Sequence, residues 1–407
     1  MSDRLFTPRF LIMCAFSFTV FVSLFQLLPT APFHVIHDLG GSTTAAGLFL
    51  GFLTYASAAA APITGAIGDR VGQRRVLLIV SVILSAFTAS YAFITDYRVL
   101  LGVVIGHGLF WSALLSASGA YMTSTLPPAR RAEGIGYWGL SSVLAVGTAP
   151  AIGFWVYEHG WTALCIEITI LNLLMAVIAW RLPDDHVGAH GREEHAEHAE
   201  HAEHAATPHP RRIVEWRVLA LSGSLALVSF GYGSLTSFSA LYADALGVSP
   251  RGIFLTAMAV SILSGRLIFG RALDRIGHRV VLQRCLLLPP IGLLILAFAS
   301  GRWSMIAAGL MFGAGFGLMH PAFTAYVMAR VPFARRGAAF GAMLAAFDTG
   351  IGTGSSVMGW IISRTGFRVS FGLAALLAAC AMPAFVWGTG LFSTDLQQKR
   401  DRPASTD

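Results

Sequence analysis

Charge is scarce in this chain: 12% of its 407 residues are Asp, Glu, Lys or Arg, and lysine occurs only at Lys399. A soluble domain carries roughly 25% charged residues, so a sequence that is 55% hydrophobic and this poor in charge is excluded from the ordinary soluble classes. Cysteine is sparse too. Cys14, Cys165, Cys285 and Cys380 stand singly in apolar segments, which excludes a disulfide framework or a cysteine-based metal site. The apolar segments hold no nucleophile and base pair and no cluster of metal ligands, so neither an enzyme nor a cofactor is expected. A net charge of +7 would suit nucleic acid in a soluble chain. Here the arginines flank apolar runs, a pattern that serves lipid headgroups and topology, and no nucleic-acid partner is expected.

What is present is a series of apolar segments of the length a bilayer needs, about 20 residues each. They run over 10–32, 43–68, 75–95, 97–126, 134–156 and 161–180, then 216–245, 252–273, 280–299, 303–331, 337–363 and 367–392. The expectation is an all-α membrane protein of twelve transmembrane helices. Residues 1–181 form one six-helix half, 182–215 a linker too polar to enter the bilayer, and 216–407 the second half with a short tail. The N-terminus leads into the first segment with no small-residue cleavage site, so that helix is expected to be retained.

The two halves are written from one plan. Gly65, Asp69, Arg70, Gly72 and Arg74 fall on Gly270, Asp274, Arg275, Gly277 and Arg279 when 205 is added to each number. The same shift carries Tyr121, Pro127, Arg130, Arg131 and Gly147 onto Tyr326, Pro332, Arg335, Arg336 and Gly352. Such parallel repeats, related by an axis along the membrane normal, are a hallmark of secondary transporters. The loops Gly65-x-x-x-Asp69-Arg70-x-Gly72-x-Arg74 and Gly270-x-x-x-Asp274-Arg275-x-Gly277-x-Arg279 resemble the signature loop of the major facilitator superfamily. The resemblance implies two pseudo-symmetric six-helix halves, with that loop joining the second and third helices of each. Pro29-Thr30-Ala31-Pro32 resembles the Pro-x-x-Pro feature of its twelve-helix drug:proton antiporter branch and is expected to end the first span. Arg98 to Gly102 resembles that branch's Arg-x-x-Gln-Gly motif, with Leu101 in place of the glutamine. The branch often carries an acid in the first helix, and none occurs here between Arg4 and His37.

Arginine sets the orientation. Arg70, Arg74, Arg75, Arg130, Arg131, Arg181, Arg335 and Arg336 fall on one side, and Arg98, Arg251, Arg302, Arg364 and Arg368 on the other. By the positive-inside rule both termini and the linker are expected in the cytoplasm, with the chain a multi-pass monomer in the inner membrane. The signature residues then have two readings, an ionic latch that yields as the halves rock or arginines that merely fix topology. Gly147, Pro150 and Gly153, with Gly350, Gly352 and Gly354 in the related helix, suit helices that bend or approach closely.

Ionisable residues at membrane depth are costly and therefore informative, about 3 kcal/mol each on insertion scales. Asp348 lies twelve residues past Arg336, about 18 Å along a helix and so near the midplane. It is the first candidate for proton coupling, with Glu167 the second. Arg98, Arg266, His107 and His320 are candidate cavity residues, with a pair between Arg266 and Asp348 one possibility. Arg98 alternatively snorkels to the surface, and each histidine alternatively packs in the core. In the linker, Glu-His-Ala repeats place His195, His198, His201 and His204 three apart, a spacing that suits a divalent metal or equally a solvated repeat. Together these features predict a proton-coupled transporter exporting a small organic or amphipathic compound. An importer of an organic anion or sugar, a metal or metal-chelate exporter, and a metal sensor that transports nothing remain as alternatives.

Overall fold

The computed structural model describes residues 5–127, 130–183, 216–269, 278–331 and 336–400. The first half contains α1 (Pro8–Phe33), α2 (Thr43–Val71), α3 (Gln73–Tyr91), α4 (Tyr97–Thr125), α5 (Arg131–Tyr157) and α6 (Trp161–Arg181). The second contains α7 (Trp216–Ala245), α8 (Ile253–Phe269), α9 (His278–Ala297), α10 (Arg302–Met328), α11 (Arg336–Ala379) and α12 (Ala381–Arg400). Among the described residues, ten helices are long and apolar enough to cross a bilayer, and Ile253–Ile268 is a shorter apolar one. The last of the ten extends over 52 residues, Ala339–Gly390. That is more than twice the ~20 residues of one pass, and Gly366 breaks it with a φ of 76° that favours a residue without a Cβ. The chain is a multi-pass membrane protein of twelve helices in two halves, as the apolar segments predict.

Local chemistry explains the helix boundaries. Thr7 Oγ1 accepts a hydrogen bond from the Phe10 amide at 3.2 Å with Pro8 at the first helical position, both good starts for α1. Ser42 and Asp96 cap α2 and α4 in the same way. Gly72, at φ 96°, ends α2 and at once begins α3. One expectation fails here. The first span does not end at Pro32: α1 runs through Pro29 and Pro32 and continues as a π-helical turn, His34–Asp38. Proline removes an amide donor but need not end a membrane helix when local side chains rebind the carbonyls. Pro29 and Pro32 leave the Phe25 and Leu28 carbonyls without their helical donors, and between them the Thr30 hydroxyl donates to the Gln26 carbonyl at 2.7 Å, an added tie within the helix.

Packing repeats between the halves. In the first, α1 packs on α5 and α6, α2 on α4, and α3 on α4 and α6; in the second, α7 packs on α11 and α12, α8 on α10, and α9 on α10. The halves meet mainly through α2 with α11 and α5 with α8, two symmetry-related pairs. Exposed Ile79, Val82, Ile166, Ile170, Leu173, Leu287 and Leu294 give α3, α6 and α9 apolar outer faces, which a bilayer covers and water would not.

Candidate functional site

Eight helices enclose a central cavity of about 380 Å³. Its walls come from α1, α2, α4 and α5 of one half and α7, α8, α10 and α11 of the other, so it lies on the pseudo-symmetry axis. Phe21, Phe25, Trp111, Tyr232, Phe316 and Phe347 give its largely apolar wall an aromatic portion. Tyr232 stacks on Phe316 at 4.4 Å, and Phe316 on Phe347 at 6.1 Å. A second space of about 460 Å³ adjoins it and extends past Ser116, Ala120, Thr123 and Ile135 of α4 and α5. Leu53, Thr54, Trp111, Leu115, Leu344 and Asp348 face both.

Asp348 is the acid on these walls. Its side chain is half-buried on α11, and it has no hydrogen-bond or ion-pair partner among the described residues. Arg266 lines the same cavity but does not pair with it; instead its Nε donates to the Gly317 carbonyl at 3.0 Å. His320 is also on the wall, edge-on to Phe347 at 5.2 Å. The cavity thus offers one unneutralised carboxyl, one guanidinium held by a backbone carbonyl, one imidazole and an aromatic lining. Burying an unpaired carboxylate in an apolar wall is costly, and either a proton or a cationic group removes that cost.

Beyond the cavity the halves close on one another at the end of the molecule that carries Arg98, Arg251 and Arg364. Ser355 donates to the Gly47 carbonyl at 2.7 Å across the α2 and α11 contact, and the Tyr55 and Thr353 hydroxyls share a 2.8 Å bond. Small residues make this approach possible. A Cβ on Gly352 would fall 2.9 Å from the Tyr55 ring, and one on Gly147 would fall 2.9 Å from the Ala259 methyl. Pro150 lies beside Gly252, just before α8, and Gly153 faces Gln26 of α1. By contrast, Gly350 and Gly354 face α7 within their own half, against Ser229 and Phe230. Arg251 also crosses the boundary, standing over the Phe33 ring at 5.3 Å while its Nε donates to Asp244 at 2.7 Å.

Three expected cavity or coupling residues lie elsewhere. Arg98 is exposed at the start of α4, where its Nε reaches Tyr97 at 3.4 Å, the snorkelling alternative. His107 is buried between α3 and α4, bonded through Nδ1 to the Tyr91 hydroxyl at 2.9 Å and stacked on that ring, so the packing alternative holds. Glu167 sits at the α1 and α6 contact, away from both cavities, and accepts from Gln26 Nε2 at 3.0 Å. Gln26 and Thr54 are the polar residues that depth and charge alone did not single out; an amide inside an apolar span was the available signal.

Of the first signature loop, Arg70 is exposed, and Arg74 donates to the Ala179 and Trp180 carbonyls at 3.3 and 2.6 Å, closing the end of α6. Gly65 and the Asp69 side chain lie outside the described set. So do Gly270, Asp274, Arg275 and Gly277 of the second loop, and His195, His198, His201 and His204 of the linker, whereas Arg279 is exposed near the start of α9. Among the described residues no group of three metal-ligating side chains occurs.

Comparison with known proteins matches this architecture. The family model described as Major Facilitator Superfamily matches residues 9–289 and 252–405. An uncharacterised MFS-type transporter of Pseudomonas aeruginosa is 29% identical over 383 residues, covering 89% of this chain and 88% of the relative. A staphylopine export protein of Staphylococcus aureus is 25% identical over 382 residues, covering 91% of each. Among solved structures, nucleoside transporter NupG superposes with a TM-score of 0.70 at 15% identity, covering 94% of this chain and 99% of that one.

Proposed function

Because the chain belongs to the major facilitator superfamily, we propose that it is a proton-coupled secondary transporter exporting a small organic or amphipathic compound by alternating access. The observation that carries the reading is Asp348, an unpartnered carboxyl on the wall shared by two spaces between the halves. Cargo binds against the aromatic wall. Proton and cargo exchange at Asp348, Arg266 and His320 orient polar groups, and the α2 with α11 and α5 with α8 contacts open and close as the halves rock. A transmembrane potential supplies about 2.3 kcal/mol per charge per 100 mV, which is adequate to drive such an exchange. Export is favoured by the relative named as an export protein. The arginine asymmetry supports an inner-membrane topology with both termini and the histidine-rich linker in the cytoplasm, and in this reading the signature loops latch the outward-open state.

The test is the internal pH of proteoliposomes challenged with drugs, organic acids and metal chelates, wild type against Asp348→Asn. Proton movement triggered by one compound and lost in the variant supports the reading. No proton movement with any compound in the wild type sinks it. Net uptake into inverted vesicles is the outcome expected of an exporter, and net release from them turns it into an importer.

A further inference from the structure

Glu167 and Gln26 touch through one pair of atoms and strand the other. Gln26 Nε2 donates to Glu167 Oε1 at 3.0 Å, while Gln26 Oε1 and Glu167 Oε2 are both buried with no partner among the described residues. Each stranded atom is an acceptor. Buried acceptors are nearly always satisfied, and in a span no bulk water is at hand to do it. No cation is within ion-pair distance of Glu167 among the described residues. A single proton on Oε2 turns one acceptor into a donor, for which the stranded Gln26 oxygen is an acceptor of the same pair.

We infer that Glu167 is a carboxylic acid that keeps its proton, closing with Gln26 a ring of two hydrogen bonds that fastens α1 to α6. It is then a positioning residue rather than a coupling site. The surroundings agree. One turn earlier on α1, Ser23 donates to Asn172 of α6 at 2.8 Å, and Asn172 in turn donates to Thr88 of α3 at 3.1 Å. Gln26 itself is fully buried, with Gly153 of α5 facing it so closely that a Cβ there would fall 2.9 Å from the Gln26 Cβ. The opposite face of α1 presents Phe21, Leu24, Phe25 and Leu28 to the cavity. The proton therefore holds a cavity wall in place without itself meeting the cargo, and a carboxylate at Glu167 would loosen that wall.

Infrared spectroscopy of the full-length protein in lipid tests this. A protonated-carboxyl carbonyl band is expected at mildly acidic and mildly alkaline pH alike. Carbon-13 glutamate should shift it, which separates it from Asp348, and Glu167→Gln should abolish it. Gln26→Leu should move it to the position of an unbonded acid. Glu167→Gln should also transport as wild type, because an amide facing an amide keeps both bonds, whereas Glu167→Leu should not. The inference is overturned if the labelled glutamate at this site absorbs only as carboxylate, or if its carbonyl band comes and goes with pH or cargo. The first outcome means that Glu167 is ionised, and the second that it titrates during transport. The labelled wild-type spectrum decides the matter even where a variant fails to fold.

Discussion

Asp348→Asn keeps the shape of the side chain and removes the acid. Asp348 has no partner to lose among the described residues, and an amide in its place carries no charge to desolvate, so thermal unfolding should be unchanged or slightly delayed. Transport should fall to the level of empty liposomes, and whatever residual cargo movement survives should no longer follow pH, as radiolabel flux across a pH series would show. Arg98→Ala is the contrasting case: exposed at the head of α4 and bonded only locally, it should leave flux within experimental error of wild type. A variant with lost flux would return Arg98 to the cavity. At this scale depth was legible in the sequence, because 1.5 Å per residue places Asp348 at the midplane from Arg336. Partners were not. His107 looked as promising as His320 by depth, and what separates them is Tyr91, a neighbour in space that sixteen positions of sequence conceal.

At the scale of the helix, the glycines of α11 divide by what they face, and the division is testable. Gly352→Leu pushes a side chain into Tyr55 and Thr54 of the other half, a clash present only while α2 and α11 are closed. Overpacking costs about 1–3 kcal/mol, which shifts the balance between conformations by about fivefold to a hundredfold. Distances between spin labels on α2 and α11 should then lengthen in the absence of cargo. Gly354→Leu clashes instead with Phe230 of α7 in its own half, a contact carried along as the half moves. It should lower the unfolding temperature and leave the label distances alone. If the two variants behave alike, the α2 and α11 contact is not the moving surface. The repeat in the sequence identified α5 and α11 as related and rich in glycine, and the twelve passes were legible from length and hydropathy. Which glycine crosses the boundary was not, since a helix turns 100° per residue and facing depends on a rotation set by tertiary packing. The same limit hid the continuation of α1 past Pro32, which runs on as a π turn that composition does not announce.

For the whole molecule, the asymmetry of closure makes a prediction about sides. Ser355 is fully buried where the halves meet, whereas Ala120 lines the second space toward the opposite end. Sequence placed both within apolar spans, 97–126 and 337–363, but held no sign of which end is shut, because alternate conformations share one sequence and differ by only a few kcal/mol. In a background with Cys14 and Cys380 replaced by alanine, Ala120→Cys should react with a membrane-impermeant thiol reagent from the cytoplasmic side. Ser355→Cys should resist the reagent from both sides. Adding cargo with an opposing pH gradient should reverse the pattern, so that position 355 becomes reactive from outside as position 120 becomes protected. Reaction of Ala120→Cys from outside instead would invert the topology drawn from the arginines. Simultaneous reactivity of both positions would be more damaging, because a path open at both ends dissipates the proton gradient and leaves Asp348 nothing to couple.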